Sequence, residues 1–230
     1  MATKKDFEQY GLGRKPQFDK RSKEFPIRAL LTREQLRTPR SYTWRCEKTL
    51  DQGPDGACVG FGYTHELIAR PKAIKKLDYE AAMSIYHTAQ TLDPWPGENY
   101  SGTSMLAGIK AVQQLYPTLI TEYRWCFDFK DLVVTLGYKG PVVMGINWYT
   151  GMFTPDRKTG ILSVTGSKAG GHCILAMGVD VKKKLIKIHN SWGPKWGING
   201  EAYFTFADMK RIMAERAEFC VPVRRGKLPK

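Results

Sequence analysis

The sequence has no apolar run long enough to cross a bilayer. Its longest, Cys173 to Val179, is about seven residues, against the roughly 20 that a membrane helix needs. The basic start, "MATKKDFEQYGLGRKPQ", leads into no apolar core of the secretory kind, and "FPIRALL" is short and broken by Arg28. No secretory leader is expected. Cysteine pairing is also missing as a pattern. The five cysteines are odd in number, irregularly spaced and free of any CxxC pair, so reduced thiols in a cytoplasmic setting are expected rather than a disulfide framework. Zinc spacing is lacking: His172 and Cys173 are adjacent and no other His/Cys pair fits, so no metal is expected. No RNP pattern, zinc-finger spacing or internal repeat occurs, which leaves no nucleic-acid motif to build on.

What is present is an ordinary globular composition, 42% hydrophobic and 25% charged over 230 residues, enough for a real core in one domain or two small lobes. The net charge of +14 sits at the ends. Residues 1–45 carry 12 Lys/Arg against 5 Asp/Glu, and residues 210–230 carry 7 against 2, while the middle is nearly neutral. A solvated surface explains this, and weak attraction to a polyanion is the sharper alternative. The expected organisation is a basic, mobile arm over 1–25, a domain over 26–222 and a basic tail over 223–230.

Helical patterns fill the first half: Cys58 to Ala69 ahead of Pro71, Asp78 to Ala89, and a third helix capped by Thr103 or Ser104 and closed by Pro117. After about residue 140 the pattern turns to strands, "PVVMGIN", "CILAMGV", "LIKIHN" and "AYFTF", with "DVKKK" as a hairpin turn and a short helix after Ala207. Segregated helices and strands predict an α+β fold.

Cys58 poses the functional question. It stands where the loop "DQGPDGA" turns into a helix. Unpaired N–H groups and the helix dipole at such a place favour a thiolate, the nucleophilic form; a buried structural cysteine is the plain alternative. A partner base is then needed. His65 and His87 fall on helices and His189 alternates along a strand, so all three read as structural. His172, after Gly170-Gly171, sits where glycines allow close approach of a backbone or substrate. Asn190 in "HNSWGPKWGINGEAYF" could orient its ring.

Taken together, "DQGPDGACVGF", "GGHCILAMGVD" and "HNSWGPKWGINGEAYF" resemble three blocks of the papain-like cysteine peptidases, in the family's order, over roughly residues 45–222. The resemblance implies a two-lobe fold, with a helical lobe over about 45–125, an antiparallel sheet or barrel-like lobe over about 135–222, and the cleft between them. It implies a cofactor-free, soluble thiol protease that takes peptide or protein substrates. Cys58 would be the nucleophile, His172 its imidazolium partner, Asn190 the group that fixes the ring, and Gln52 an oxyanion donor. Trp192 would shield the Asn–His hydrogen bond. Gly56, Gly102, Gly145, Gly170, Gly171 and Cys173 would line the substrate cleft, with small residues leaving a roomy, apolar pocket for the second residue before the cut. A His-paired thiol of this kind titrates near 3–4 against about 8.5 when free, a preference of about 7 kcal/mol for the charged pair.

The pattern departs from the family in places. Asp55 stands where many members have a disulfide cysteine, Val59 replaces an aromatic, and His172 follows Cys58 by only 114 residues, shorter than the ~130–150 of the family signature. No long helical propeptide pattern precedes Cys58, which suits a compact bacterial or bacteriophage-like member, with residues 1–25 as a short regulatory arm or with no zymogen at all. Two other functions stay open: a cysteine amidase cutting cell-wall peptidoglycan, and a non-catalytic binding protein on the same fold with basic ends for a polyanion. The oligomeric state is not legible.

Overall fold

Each predicted helix of the first half forms, and side-chain caps open two of the three. In the computed structural model, which describes residues 7–71, 73–97 and 100–224, a short helix α1 (Arg33–Arg37) opens under a Thr32 capping box. Helix α2 (Cys58–Ile68) starts at the end of the Gly-rich loop. Helix α3 (Tyr79–Leu92) is capped by the Asp78 side chain on the Ala81 N–H. For α4 (Met105–Leu115) the cap is Ser104, whose hydroxyl accepts the Ala107 N–H at 3.0 Å; Thr103 is used otherwise. Parts of the expected terminal arm (1–6) and tail (225–230), and two residues of the loop 98–104, lie outside the described residues.

The strands are β1 (Tyr42–Thr43), β2 (Ile120–Trp125), β3 (Val142–Tyr149), β4 (Lys168–Asp180), β5 (Leu185–His189), β6 (Glu201–Thr205) and β7 (Glu218–Arg224), with α5 (Phe129–Tyr138) and α6 (Phe206–Met213) between them. They form one antiparallel sheet in the order β2-β7-β3-β4-β5-β6, with β1 paired to β4. The sheet is open, so the barrel-like alternative is corrected: β2 and β6 end the path without meeting. The chain is an α+β fold. Residues Val142 to Ile146 and His172 to Val179 are buried on both faces, which is why they read as unbroken apolar runs. In β5 and β6 burial alternates, as in half-covered strands. Five elements escaped the sequence reading, of which α1 and β1 are too short, at five and two residues, to show a period. Strand β7 mixes Glu218 and Pro222 into its apolar residues, β2 carries a charged or polar residue at most positions, and α5 lies between the two patterns.

Two cores result. One joins α2, α3 and α4 to the near face of the sheet through Tyr63, Leu67, Ile85, Met105, Ile109, Val143, Cys173 and Leu175. The other covers the far face with Leu132, Leu136, Trp148, Ile174, Ile188, Phe204 and Met209. Helix α2 is buried on every side, so it approaches its neighbours through glycine. A Cβ on Gly62 would stand 2.7 Å from Cys173 Sγ, and one on Gly60 would stand 2.2 Å from the Ala82 carbonyl oxygen and 2.9 Å from Tyr86 Cβ. These gaps let α2 lie against β4 and α3 at close range.

Gly60→Ala therefore pushes α2 off α3. Overpacking of this kind costs about 1–3 kcal/mol, and a backbone obstacle belongs at the upper end, above the ~1 kcal/mol of helix propensity that alanine adds. Urea melts should show a net loss of about 1–2 kcal/mol for Gly60→Ala. Gly140→Ala, which meets open space, should stay within about 0.5 kcal/mol of wild type.

Candidate active site

The site is assembled from three elements that the chain reaches far apart. Cys58 is the first residue of α2. His172 lies within β4, not at its start as the sequence pattern suggests, because Lys168 to Gly171 already pair with β3. Asn190 follows the last residue of β5. Antiparallel register pairs Leu175 with His189, which carries Asn190 back alongside His172. The ring Nε2 of His172 and Asn190 Oδ1 are 2.8 Å apart, and the same oxygen accepts the Ser191 N–H at 2.8 Å. Among the described residues the ring's other nitrogen, Nδ1, is buried and has no hydrogen-bond partner.

Aromatic packing holds the ring still. Trp192 stacks on His172 with centroids 4.4 Å apart and planes 18° apart, and Trp148 meets it edge-on at 4.9 Å. Trp192 is itself buried and lies flat on the ring that meets Asn190. Gln52 is clamped by Ser191, whose hydroxyl donates to Oε1 at 2.6 Å, while Nε2 donates to the Asp55 carbonyl at 2.6 Å. The remaining histidines stand elsewhere. His87 lies outside the cleft on α3 with Gln90 beside its ring. His65 accepts the Leu50 N–H at 3.1 Å, and burial drives its pKa well down. At His189 burial opposes the proton, but Cys46 and Glu201 outweigh it and raise the pKa to about 9.

Residues 11–15, "GLGRK", lie across this site. Gly11 N–H donates to the Gly53 carbonyl at 2.9 Å, Arg14 N–H to Gly171 at 3.0 Å and Lys15 N–H to Thr103 at 2.8 Å, and Thr103 N–H donates to the Gly13 carbonyl at 2.9 Å. The Gly11 carbonyl takes Gln52 Nε2 at 3.2 Å and Trp192 Nε1 at 3.4 Å. Glycine is required here by the closeness of the body. A Cβ on Gly11 would meet the Asp55 carbonyl oxygen at 1.9 Å, and one on Gly13 would meet the Gly56 carbonyl oxygen at 1.8 Å. Phe7 and Tyr10 extend the seat by stacking on Phe153 and packing on Trp192. The arm was expected to be mobile or draped on the surface; the only hint of its path in the sequence is the spacing of two glycines before Arg14.

The cleft glycines divide accordingly. Gly102 gives clearance to the arm, since a Cβ there would lie 2.1 Å from the Gly13 oxygen, although its neighbour Thr103 makes the backbone pair; Gly56 instead gives clearance to Ser101, whose hydroxyl oxygen would stand 2.0 Å from a Cβ. Gly170 faces Leu12, and Gly171 and Gly145 face Arg14. Cys173 lies deeper, its thiol 3.3 Å from Met105 Sδ. The pocket beside Gly145 was expected to be apolar; it holds a carboxylate, Glu218, which the sequence pattern did not single out.

Under the arm Cys58 is wholly buried. Burial raises its pKa to about 11, although backbone N–H groups of Cys173, Gly13 and Arg14 pull the other way. Burial lowers the His172 pKa to about 3, against the pull of Asn190. In this covered state burial disfavours the charged form of both groups, because water that would solvate either charge is excluded.

The chain is similar to known proteins over most of its length. The family model described as "Papain family cysteine protease" matches residues 46–221. An uncharacterised peptidase C1-like protein of Acanthamoeba polyphaga mimivirus is 38% identical over 195 residues, 66% of this chain and 62% of that protein; the match thus spans less than two thirds of the curated relative. Among solved structures, xylellain, a cysteine protease from Xylella fastidiosa, superposes with a TM-score of 0.72 at 18% identity, covering 94% of this chain and 96% of that one. Procathepsin L2 of Tenebrio molitor gives 0.62 at 20% identity, covering 96% and 80%.

Two outcomes follow from the covered state. Iodoacetamide should reach Cys58 slowly in the wild type and faster in Gly13→Ala, where the new Cβ meets Gly56. A penalty of about 1–3 kcal/mol corresponds to about a 5- to 150-fold rise in labelling rate, read by mass spectrometry of the Cys58 peptide. Acid should also weaken the covered protein. Between pH 6.5 and about 3 the unfolded chain holds a proton on His172 that the folded chain rejects, so stability is full above pH 6.5 and falls with acidification by up to about 1.4 kcal/mol per pH unit from this group. Melting curves of His172→Gln should fall less steeply over that range than those of wild type.

Proposed function

The chain belongs to the papain family of cysteine proteases, and on that premise we propose that it is an endopeptidase that cuts peptide bonds by acyl transfer through Cys58, with the peptidase domain over residues 26–222. The observation that carries the reading is the fixed His172 ring. With Nε2 tied to Asn190 at 2.8 Å, the proton-transfer work falls to Nδ1, the nitrogen left without a partner. The neighbouring residue supports the same layout: the N–H of Cys173 points at the Cys58 sulfur, which heads α2.

In this mechanism the arm first leaves the cleft and water returns. The thiol proton then moves from Cys58 to His172 Nδ1, and the thiolate sits at the N-terminus of α2, where the helix dipole adds up to about 2 kcal/mol. The larger share of the roughly 7 kcal/mol comes from the imidazolium. The thiolate attacks the scissile carbonyl carbon and a C–S bond forms. The carbonyl oxygen takes the negative charge beside the Gln52 amide, whose Nε2 already holds a carbonyl oxygen of the arm. Collapse breaks the C–N bond, and His172 gives its proton to the departing amine. Water, deprotonated by His172, then attacks the thioester and releases the acid and the Cys58 thiol. Asn190 keeps the ring aimed throughout and Trp192 keeps water off the bond that aims it.

In the Gly13→Ala background, where the arm is seated less firmly, casein and fluorogenic peptides should be hydrolysed and Cys58→Ala should abolish hydrolysis. Gln52→Ala should lower turnover by about 100- to 1000-fold, the usual cost of an oxyanion donor, while Cys58 alkylation changes little. Uniform alkylation of Cys46, Cys58, Cys126, Cys173 and Cys220, with no hydrolysis, would overturn the assignment of Cys58.

A further inference from the structure

The arm leaves an impression of what the cleft accepts. Arg14 is the residue next to Gly13 in the stretch above the Cys58 sulfur, and its side chain turns into the body of the protein and is wholly buried. Its Nε donates to Glu218 Oε2 at 3.0 Å, and its Nη2 donates to the same carboxylate and to the Arg216 carbonyl at 2.7 Å. The walls come from the catalytic domain, not from the arm. A Cβ on Gly145 would stand 2.7 Å from Met105 and 2.9 Å from Arg14 Nε, so glycine at 145 makes the room that the guanidinium occupies. Glu218 is 5% exposed. Burial pushes its pKa up and the Arg14 charge pulls it back. A carboxylate so placed suits a cation and opposes an apolar side chain, which would leave it buried and unpaired.

The next position carries the same preference by other means. Lys15 Nζ stands 3.9 Å from the centre of the Tyr100 ring and 4.9 Å from that of Trp95, two aromatic faces that attract a cation. The arm is pinned to the body by backbone hydrogen bonds on both sides of these two residues, to Gly171 and to Thr103, as any extended peptide would be. It escapes attack because the Gly13 carbonyl is turned onto the Thr103 N–H, away from the Gln52 amide.

We infer that Glu218 determines the substrate specificity of this cleft, and that the substrates are peptides presenting an arginine to the Gly145–Glu218 pocket, preferably with a second basic residue beside it against Tyr100 and Trp95. Arg14-Lys15 is the internal occupant of both places and is displaced by such a peptide. This inference rests on the peptidase reading for its catalytic consequence, but the pocket's preference for a guanidinium does not need turnover.

The test uses the full chain in the Gly13→Ala background, in which the arm is seated less firmly and no pocket residue is altered. Fluorogenic peptide amides differing only in the residue that enters the pocket are compared: arginine, its uncharged analogue citrulline, and leucine. The arginine substrate should exceed the other two in kcat/KM by at least about tenfold. Glu218→Gln, which keeps size and shape, should cut the arginine value by roughly 30-fold or more and leave the leucine value unchanged or raised. Equal rates for arginine and leucine, or an equal loss for both in Glu218→Gln, would overturn the inference. A second readout is independent of chemistry: binding of an Arg-Lys peptide to the Gly13→Ala/Cys58→Ala protein, followed by calorimetry, with Glu218→Gln as the comparison. If that peptide binds in a Glu218-dependent manner and no substrate is hydrolysed, the specificity inference stands and the peptidase reading falls. If it binds no better than its citrulline analogue, the specificity inference falls. Thermal melts of Glu218→Gln and Glu218→Asp accompany both measurements; retention of the arginine preference by Glu218→Asp and its loss in Glu218→Gln support the role of the charge.

Discussion

The close contact between α2 and β4 is the constraint on which the site depends. Gly62 faces Cys173 with no room for a Cβ, so the helix that begins at Cys58 is pressed against the strand that carries His172. A larger side chain at 62 would lift the helix and with it the sulfur. The second constraint is the register of β4 against β5, which sets Asn190 beside the His172 ring. Each contact is made of small groups and backbone, so position is fixed by exclusion rather than by attraction, in the manner of well-packed interiors.

Burial under the arm shapes the electrostatics of the cleft. With the arm seated, burial disfavours the charged forms of the thiol and the imidazole, since neither charge is solvated. In the proposed mechanism the arm's departure lets the charged pair form beside the helix terminus. The arm's glycines are suited to the covered state, because residues 11 and 13 touch the backbone of the 53–56 loop where no Cβ fits. Arg14 then adds a buried ion pair to a segment that has little apolar surface of its own between Tyr10 and Phe18. Its partner, Glu218, sits at the start of β7, and so the last strand of the sheet contributes to a cleft whose chemistry comes from α2, β4 and β5.

Much of this was legible beforehand. The capped, amphipathic helices and the apolar runs of β3 and β4 followed from local pattern, and so did the α+β class. The three blocks around Cys58, His172 and Asn190 pointed to a cysteine nucleophile, because loop-to-helix cysteine, glycine-flanked histidine and the Trp-rich turn are each local signatures. Trp192 and Gln52 were named as well, and they lie against His172 and beside Ser191. By contrast, β2, α5 and β7 were missed because their polar residues mask a weak period that only sheet pairing makes sense of, and the sheet proved open where a barrel-like lobe had been allowed for.

The sequence by itself determined which residues could do the chemistry, since a nucleophile, a base, an orienting amide and a helix start are properties of residue type and local order. Only the tertiary structure decided what lies over them. That "GLGRK" crosses Cys58, that Arg14 meets Glu218 some 200 residues later, and that burial disfavours charge on both Cys58 and His172 are consequences of long-range contact and of water excluded by it. Neither has a signature in neighbouring residues, because burial and desolvation belong to the folded chain as a whole.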